Sequence, residues 1–380
     1  MNKTLFFIAA ICALAGQGIA QEDMGIMKLD EFRYPKQRKI IDIPNVNGLQ
    51  VLKCDFHMHT VFTDGHVWPN VRIQEAWKEG LDAIAFTEHV EYIPHKDDVK
   101  PGNLRPHELA KNQAAEQNIL LIKGTEVTRN TPPGHFNALF IQDDKNLVVS
   151  RDSELDNQAI QAVVDQKAFI FWNHPGWKAA QIEGSYEWIP FVDKMYKDKN
   201  LHGIEVVNGF GFHKKALDWA LDRGLTIIGN TDIHNLIAHE YDIDRNGIHR
   251  TMTLVMAKDR SAEAIRTALE NGNTVAWSSK YLFGKEEHVR NLFHACVKLI
   301  PVFYEKTNAK KAASRYYELQ NNSDLYFELK LVNGKATKSM ILYPKSSQIL
   351  IADAGQGKLV YEVVSTYVRS DKHLQVELSL

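Results

Sequence analysis

From about residue 50 to residue 260, short apolar runs of strand length alternate with segments whose apolar residues recur at helical spacing. This alternation is typical of repeated βα units around a mostly parallel sheet. About seven such units within about 230 residues favour a closed barrel, in which functional side chains gather at the C-terminal ends of the strands. The predicted strands are residues 52–56, 83–87, 120–124, 136–141, 168–172, 203–207, 226–229 and 251–256, and the predicted helices are 71–79, 107–118, 159–165, 214–222 and 262–270.

The pattern changes after residue 291, where strand-length runs follow one another without strong helical spacing between them. Such a segment is typical of a small all-β domain and favours a sandwich. The runs are residues 325–332, 338–342, 348–351, 359–368 and 374–380. The chain therefore divides into four predicted parts: a signal peptide (1–20), an N-terminal extension (21–50), an α/β barrel (51–290) and a small β-sandwich-like domain (291–380).

The first 20 residues have the pattern of an export signal. Lys3 supplies a positive start, residues 5–16 are mostly apolar, and residues 18–20 are small enough for a cleavage site. The apolar run is shorter than the roughly 20 residues that a bilayer-spanning helix needs. We therefore expect a mature chain without a membrane span, located in the periplasm or outside a bacterial cell.

Composition narrows the function classes. The 380 residues carry 45 basic and 47 acidic side chains, a net charge of −2, without a basic patch of the kind that binds phosphate backbones. A nucleic-acid partner is therefore not expected. Two of the three cysteines, Cys54 and Cys296, follow the predicted signal, and the sequence leaves open whether they pair. Histidine is abundant, with 16 residues.

The first predicted barrel strand leads directly into His57 and His59. In an extended segment, residues i and i+2 point to the same side, so both imidazoles can reach one cation. Further histidines and carboxylates lie at later strand ends. They are Glu88, His89, Glu126, His135, His174, Asp232 and His234.

A mixed set of imidazoles and carboxylates suits Zn, Mn or Fe better than Ca or Mg. Because one ion typically takes roughly four to six ligands including water, the set implies more than one ion. The sequence therefore predicts a site for two or three divalent metal ions at the C-terminal end of the barrel.

Six motifs occur in order between about residues 51 and 280: HMHTVFTDG, FTEH, GTEVT, GHFNALF, NHPGW and TDIH. In this series the chain resembles the PHP family, named for its polymerase and histidinol phosphatase domains. The resemblance implies an α/β fold, a distorted (β/α)7 PHP-type barrel, with up to three metal ions at the strand ends. It also implies hydrolysis of phosphate esters.

The same resemblance distributes the candidate ligands over three ions. It implies a first ion bound by His57, His59, Glu126 and Asp232, a second bound by His135 and His174 and bridged by Glu126, and a third bound by His89 and His234 with Asp64 beside it. A water that bridges the ions would be the nucleophile, attacking phosphorus in line. Asp232 and His234 are the residues closest to this chemistry, and His234 is either a ligand or the group that protonates the leaving oxygen.

Three residues are candidates for contact with the substrate. Arg129 lies between Glu126 and His135, and Arg250 precedes the last barrel strand, so each guanidinium has the chemistry to bind phosphate. Surface salt bridges are the alternative for both. Trp177, in the NHPGW motif, is expected to wall the pocket.

The combination of export signal, PHP-like barrel and β domain resembles secreted bacterial phosphodiesterases of this superfamily. A small-molecule phosphodiester is therefore the expected substrate. Three alternatives stay open: a phosphomonoesterase of the same family, a hydrolase of amidohydrolase type, and a metal-binding module without catalysis. The physiological ester, the native metal and the oligomeric state stay open as well.

Overall fold

The computed structural model describes residues 37–147, 156–241, 249–307 and 313–380. Residues Arg38–Leu380 form one compact unit. The predicted signal peptide and most of the predicted N-terminal extension lie outside the described residues. Among the described helices, none is long and apolar enough to cross a membrane.

The barrel strands are β1 (Gln50–Asp55), β2 (Ala83–Phe86), β3 (Leu120–Val127), β4 (Phe136–Leu139), β5 (Phe169–Trp172), β6 (Gly203–Asn208), β7 (Gly211–Phe212), β8 (Thr226–Asn230), β9 (Met252–Ala257), β10 (Thr274–Ser278) and β11 (Tyr281–Gly284). The helices within the described residues are α1 (Pro69–Lys78), α2 (Arg105–Glu116), α3 (Asp156–Asp165), α4 (Pro190–Lys197), α5 (Lys214–Arg223), α6 (Ile237–Glu240), α7 (Ala262–Glu270) and α8 (Glu286–Cys296).

The barrel consists of parallel strands interrupted by antiparallel ones. Strands β1, β2 and β3 pair in parallel, and so do β5, β6 and β8. Strand β4 runs antiparallel between β3 and β5, and β9 runs antiparallel to β1. Apolar residues on both faces of these strands are buried, which explains why the strands appear in the sequence as continuous apolar runs. The predicted distorted α/β barrel is confirmed.

Side chains close the barrel between β8 and β9. The Thr253 hydroxyl accepts from the Gly229 N–H at 3.0 Å and donates to the Gly229 carbonyl at 2.8 Å. A Cβ atom at Gly229 would lie 2.8 Å from the Cβ of Ala276 in β10, so only glycine allows this approach. These contacts between β8 and β9 place the C-terminal ends of β8 and β1 on the same side of the barrel.

The C-terminal domain has two sheets with a shared core. Its strands are β12 (Val297–Thr307), β13 (Ala313–Asn321), β14 (Phe327–Asn333), β15 (Ser339–Leu342), β16 (Ser347–Asp353), β17 (Lys358–Arg369) and β18 (Lys372–Ser379). One sheet contains β12, β13 and β16, and the other contains β14, β15, β17 and β18. Burial alternates along β17, as expected for a strand with one face on a core.

The barrel and the β domain share a continuous sheet. Strand β11 pairs in parallel with β17, with Leu282 opposite Thr366 and Phe283 opposite Tyr367. The Phe283 and Tyr367 rings stack with centroids 5.2 Å apart. The predicted all-β domain is thus confirmed, and it joins the barrel through backbone hydrogen bonds as well as through packing.

The two described cysteines do not form a disulfide. Cys54 and Cys296 are free and buried, and burial raises the pKa of both thiols. Each behaves as a small apolar core residue.

Candidate metal centre

The candidate ligands gather at one end of the barrel because the strand ends meet there. The loops after β1 and β8 continue to pair beyond their strands: the Asp232 N–H donates to the His57 carbonyl at 2.9 Å, and the His59 N–H donates to the Ile233 carbonyl at 3.1 Å. Strand β4 runs in the opposite direction, so His135, just before its first residue, lies at the same end as the others.

Four side chains form a first cluster. The Nε2 atom of His57 lies 2.9 Å from Glu126 Oε2 and 3.1 Å from Asp232 Oδ1. The Nε2 atom of His59 lies 3.2 Å and 3.1 Å from the same two oxygens. His57, His59 and Glu126 have no exposed side-chain surface. Two imidazole nitrogens and two carboxylate oxygens therefore converge on one point.

A second cluster contains Glu126, His135 and His174. Glu126 belongs to both clusters because its other oxygen, Oε1, lies 2.6 Å from His135 Nδ1. Asp232 also spans both clusters, with its Oδ2 atom 3.7 Å from His174 Nε2. Two carboxylates are thus shared between adjacent positions.

The third cluster is nearest to solvent and contains His59, Asp64, His89 and His234. Asp64 Oδ1 lies 3.3 Å from His89 Nε2 and 3.2 Å from His234 Nε2. The Nδ1 atom of His234 donates to the Asp232 carbonyl at 2.8 Å, which leaves Nε2 as the nitrogen with a lone pair. This tautomer favours the ligand role for His234 over the role of proton donor.

The donor geometry fits divalent cations. Ligands about 2.0–2.1 Å from a tetrahedral ion are about 3.3 Å from one another, close to the separations in the first and third clusters. Several of the candidate ligand atoms are also buried without a hydrogen-bond partner of acceptable geometry. Burying such polar atoms costs free energy unless another group, such as a cation, binds them. These atoms are Nδ1 and Nε2 of His59, Oδ1 of Asp64, Oε1 of Glu126 and Nδ1 of His135.

The electrostatics of the centre also favour cations. Burial opposes ionisation of Glu126, but the imidazoles of His89, His135 and His57 outweigh it and hold the pKa of Glu126 well below its usual range. Burial likewise opposes protonation of His59, but contacts with Asp232 and Glu126 raise its pKa to about 10. Burial lowers the pKa of His174 to about 4, so this imidazole is neutral and its lone pair is available.

Two candidate ligands adopt a left-handed backbone that is uncommon outside glycine. The φ angles are 24° at His174 and 56° at Asp232. Backbone hydrogen bonds maintain both conformations: the His174 N–H donates to Glu205 Oε2 at 2.9 Å, and the Asp232 N–H donates to the His57 carbonyl. Strain of this kind is typical of functional sites.

Glu205 is a functional candidate that the sequence analysis missed. Its Oε1 atom lies 3.0 Å from His57 Nδ1, and the same carboxylate accepts from the side chains of Asn208 and Asn230. A carboxylate in this position fixes the tautomer and orientation of a ligating histidine. The signal for it was a single charged residue within the apolar strand β6.

Arg72 braces the loops that contain the ligands. Its fully buried guanidinium donates to the backbone carbonyls of His59, Ile233, His234 and Asn235 at 2.6–3.1 Å. Gly65 completes this region, because a Cβ atom there would lie 2.7 Å from the backbone of His59. Asp64, the residue before Gly65, is thereby held close to the segment that contains His57 and His59.

The structure does not bring the two predicted arginines to the pocket. Arg250 is 1% exposed and pairs with Asp55 at 2.6 Å and Glu79 at 2.8 Å, so the predicted phosphate contact is replaced by a buried ion-pair network. The guanidinium of Arg129 lies over the Phe191 ring, 4.4 Å from its centroid. The neighbouring Thr128 lines the pocket instead and contacts His89 Nδ1 at 2.5 Å.

A pocket of about 400 Å³ opens onto the three clusters. Trp177 lines it, as the sequence analysis expected, and its ring lies 5.4 Å from the rings of His135 and His174. Tyr92, which the sequence analysis did not single out, lines the side next to His89. The remaining lining residues are Asp64, His89, Glu126, Thr128, His135, His174, Asp232 and His234.

Comparison with known proteins covers both parts of the chain. A solved two-domain protein from Bacteroides vulgatus, described as containing a predicted PHP-like metal-dependent phosphoesterase, is 39% identical and superposes with a TM-score of 0.84. That match covers 91% of this chain and 100% of the other. A family model described as an Ig-like domain matches residues 297–379.

Two further matches are more distant. A solved structure from Bifidobacterium adolescentis, described as a metal-dependent phosphoesterase, is 18% identical, covers 48% of this chain and 87% of the other, and has a TM-score of 0.35. An uncharacterised protein of Methanocaldococcus jannaschii is 32% identical over 81 residues, which are 21% of this chain. The match spans 36% of that curated relative's length.

Proposed function

Because the chain belongs to the family of PHP-like metal-dependent phosphoesterases, we propose that it is a metal-dependent phosphodiesterase acting on small organic diesters. The main support for this function is Glu126, whose carboxylate belongs to both the first and the second cluster. One of its oxygens faces His57 and His59 and the other faces His135, as required of a carboxylate that bridges two cations. With ions bound, His57, His59, Asp232, His135 and His174 would complete the ligands of these two, and Asp64, His89 and His234 would hold a third.

The ions, when bound, would lower the pKa of a coordinated water toward neutrality and offset negative charge on the phosphoryl oxygens. The chain's own residues orient the reactants. Asp232, whose Oδ2 atom accepts from Asn208 at 3.2 Å, presents an ionised carboxylate to the pocket and is the group that orients the attacking water. Glu205 fixes the His57 ring through Nδ1, which leaves Nε2 to face the first cluster.

The lining of the pocket supports a diester over a monoester. Tyr92 and Trp177 offer apolar ring surface at this pocket, whereas the carboxylates of Asp64, Glu126 and Asp232 would be neutralised by the cations they hold. A diester carries one negative charge and two organic groups, whereas a monoester at neutral pH carries close to two charges and one organic group. With its second organic group, the diester is therefore the better match for a lining that includes two aromatic rings.

The direct test is hydrolysis of bis-p-nitrophenyl phosphate against p-nitrophenyl phosphate by protein stripped of metal and then reloaded with Mn or Zn. We expect metal-dependent turnover with preference for the diester, abolished in His57→Ala and retained in His294→Ala, an exposed histidine of α8. Preference for the monoester would move the substrate class to phosphomonoesters. Stoichiometric metal without turnover of either ester would overturn the phosphoesterase proposal.

The identity and number of the ions are part of the proposal. Imidazole and carboxylate donors suit Zn, Mn or Fe, and three clusters correspond to three ions. Elemental analysis of protein purified without added metal tests this directly. Three equivalents of these metals per chain are expected, and fewer than two would contradict a bridged centre.

We also propose that the enzyme is exported, on the basis of the N-terminal pattern of residues 1–20. Expression of the full chain in a bacterial host, followed by fractionation and N-terminal sequencing, tests this. A periplasmic product that begins near Gln21 is expected. Full-length protein confined to the cytoplasm would contradict it.

A further inference from the structure

Two exposed aromatic side chains stand at the mouth of an otherwise largely buried metal pocket. Trp177 is 54% exposed and Tyr92 is 42% exposed, whereas the histidine ligands His135 and His174 are each 7% exposed. Large aromatic side chains favour burial, so two of them presented to solvent around one pocket indicate a surface for ligand contact.

The two rings flank different parts of the centre. Tyr92 meets the ring of His89, in the third cluster, at 5.8 Å and 68°. Trp177 meets the rings of His135 and His174, in the second cluster, at 5.4 Å. Between them, the His89 and His135 rings are 6.0 Å apart, so a phosphoryl group over the clusters would have one aromatic residue on each side.

Hydrogen bonds hold the backbone of the loop that contains Trp177. The backbone N–H of Trp177 donates to the His174 carbonyl at 2.9 Å. The Lys178 ammonium lies over the Trp177 ring, 4.5 Å from its centroid. The Gly176 N–H donates to His213 Nδ1 at 3.2 Å, and a Cβ atom at Gly176 would lie 2.8 Å from that nitrogen. With this backbone, the indole lies beside the rings of His135 and His174, at the edge of the pocket.

From this arrangement we propose that Tyr92 and Trp177 form an aromatic clamp that selects phosphodiesters whose organic groups contain a flat ring, such as an aryl group or a nucleobase. The proposal rests on the phosphodiesterase function and specifies its substrate class. The phosphoryl group lies over the metal clusters, and each organic group packs against one wall of the clamp. Ring-on-ring contact favours such groups over small alkyl groups of the same charge.

The clamp is tested with two diesters that share one leaving group. Phenyl p-nitrophenyl phosphate and methyl p-nitrophenyl phosphate both release p-nitrophenolate, so their ratio of kcat/KM reports the retained group alone. We expect the wild-type protein to prefer the phenyl ester by about tenfold, the value of a good aromatic contact. Trp177→Ala or Tyr92→Ala should reduce this ratio toward one, and the variant that does so identifies the wall that holds the retained group.

Matched variants separate a clamp from general damage. Trp177→Phe and Tyr92→Phe keep a ring and should retain most of the preference. Phe303→Ala removes an aromatic residue that is 60% exposed on the C-terminal domain and should leave the ratio unchanged. A wild-type ratio near one, or a ratio that neither alanine variant alters, would overturn the clamp while leaving the phosphodiesterase function intact.

A binding measurement keeps the two proposals distinguishable. Calorimetric titration of the metal-loaded protein with phenylphosphonate and methylphosphonate needs no turnover. About tenfold tighter binding of phenylphosphonate, lost in the alanine variants, would support the clamp even if no ester were hydrolysed. Equal affinities for the two phosphonates would contradict it.

Discussion

Arg72 donates a hydrogen bond from its buried guanidinium to the backbone carbonyl of His234 at 2.8 Å. The same guanidinium reaches the carbonyl of His59 at 3.0 Å, and Glu75 balances its charge at 2.8 Å. One side chain of helix α1 therefore joins the two loops that contain five of the nine candidate ligands. The positions of these ligands depend on a residue that does not itself line the pocket.

Replacement of Arg72 by lysine should weaken metal binding. An ammonium has three donors and lacks the planar guanidinium geometry, so it cannot reproduce contacts with four carbonyls. Loss of a residue that orients metal ligands without binding the metal typically costs 10- to 100-fold in metal affinity or activity. Equilibrium dialysis with Zn should show this loss for Arg72→Lys and not for Arg266→Lys, a partly exposed arginine paired with Glu270. Unchanged Zn affinity in a folded Arg72→Lys protein would show that the two loops keep their ligands in position without the Arg72 guanidinium.

Glu205→Gln should also reduce metal affinity, because the amide no longer stabilises the orientation and basicity of His57 through a charged contact. We expect a loss of about 10- to 100-fold in Zn affinity. Glu116→Gln, on the exposed surface of α2, is the matched control. Affinities within twofold of the wild type would assign Glu205 a purely structural role.

Arg250→Ala should destabilise the fold. The change leaves Asp55 and Glu79 buried without their cation, and breaking a buried pair in this way costs about 3–5 kcal/mol. Urea unfolding of the metal-free protein measures this, with Arg266→Ala as a surface control that should cost under about 1 kcal/mol. A near-neutral free energy change with a raised KM would instead indicate a contact between Arg250 and phosphate.

His249 should make stability depend on pH. Burial lowers its pKa to about 3, and its ring stacks on Trp277 with centroids 4.3 Å apart. The unfolded chain takes up a proton below about pH 6.5 while the folded chain does not, so stability falls as the pH decreases from 6.5 toward 3. The slope is about 1.4 kcal/mol per pH unit well inside this window.

Urea unfolding at pH 7 and pH 5 isolates this contribution when His249→Phe is compared with the wild type. The phenyl ring keeps the stacking surface but cannot titrate. The decrease in unfolding free energy between the two pH values should be smaller in the variant by about 2 kcal/mol. Equal decreases in both proteins would show that His249 is not neutral in the folded state.

The sequence predicts the fold and most of the centre because both follow local rules. Buried parallel strands appear in the sequence as apolar runs, and their C-terminal ends meet at one end of the barrel. The positions of His57, Glu126 and Asp232 at or just beyond predicted strand ends were therefore enough to predict that these residues are neighbours. His135 belongs to the same edge for a different reason, since it precedes the reversed strand β4.

The contacts that the sequence could not indicate depend on packing between distant segments. Arg250 and its partner Glu79 are 171 residues apart, and an arginine before a strand looks the same whether its charge is buried or exposed. Tyr92 lies in a loop without a motif, so its place beside His89 follows only from the folded chain. The pairing of β11 with β17 likewise joins segments without local sequence signals.

The ligand assignment is tested most directly by X-ray diffraction from crystals reconstituted with Zn, recorded on both sides of the Zn absorption edge. We predict three anomalous peaks at the C-terminal end of the barrel, two of them bridged by Glu126 and the third between Asp64, His89 and His234. Peaks confined to other parts of the surface, with these side chains bound only to one another, would contradict the metal centre and the function proposed for it.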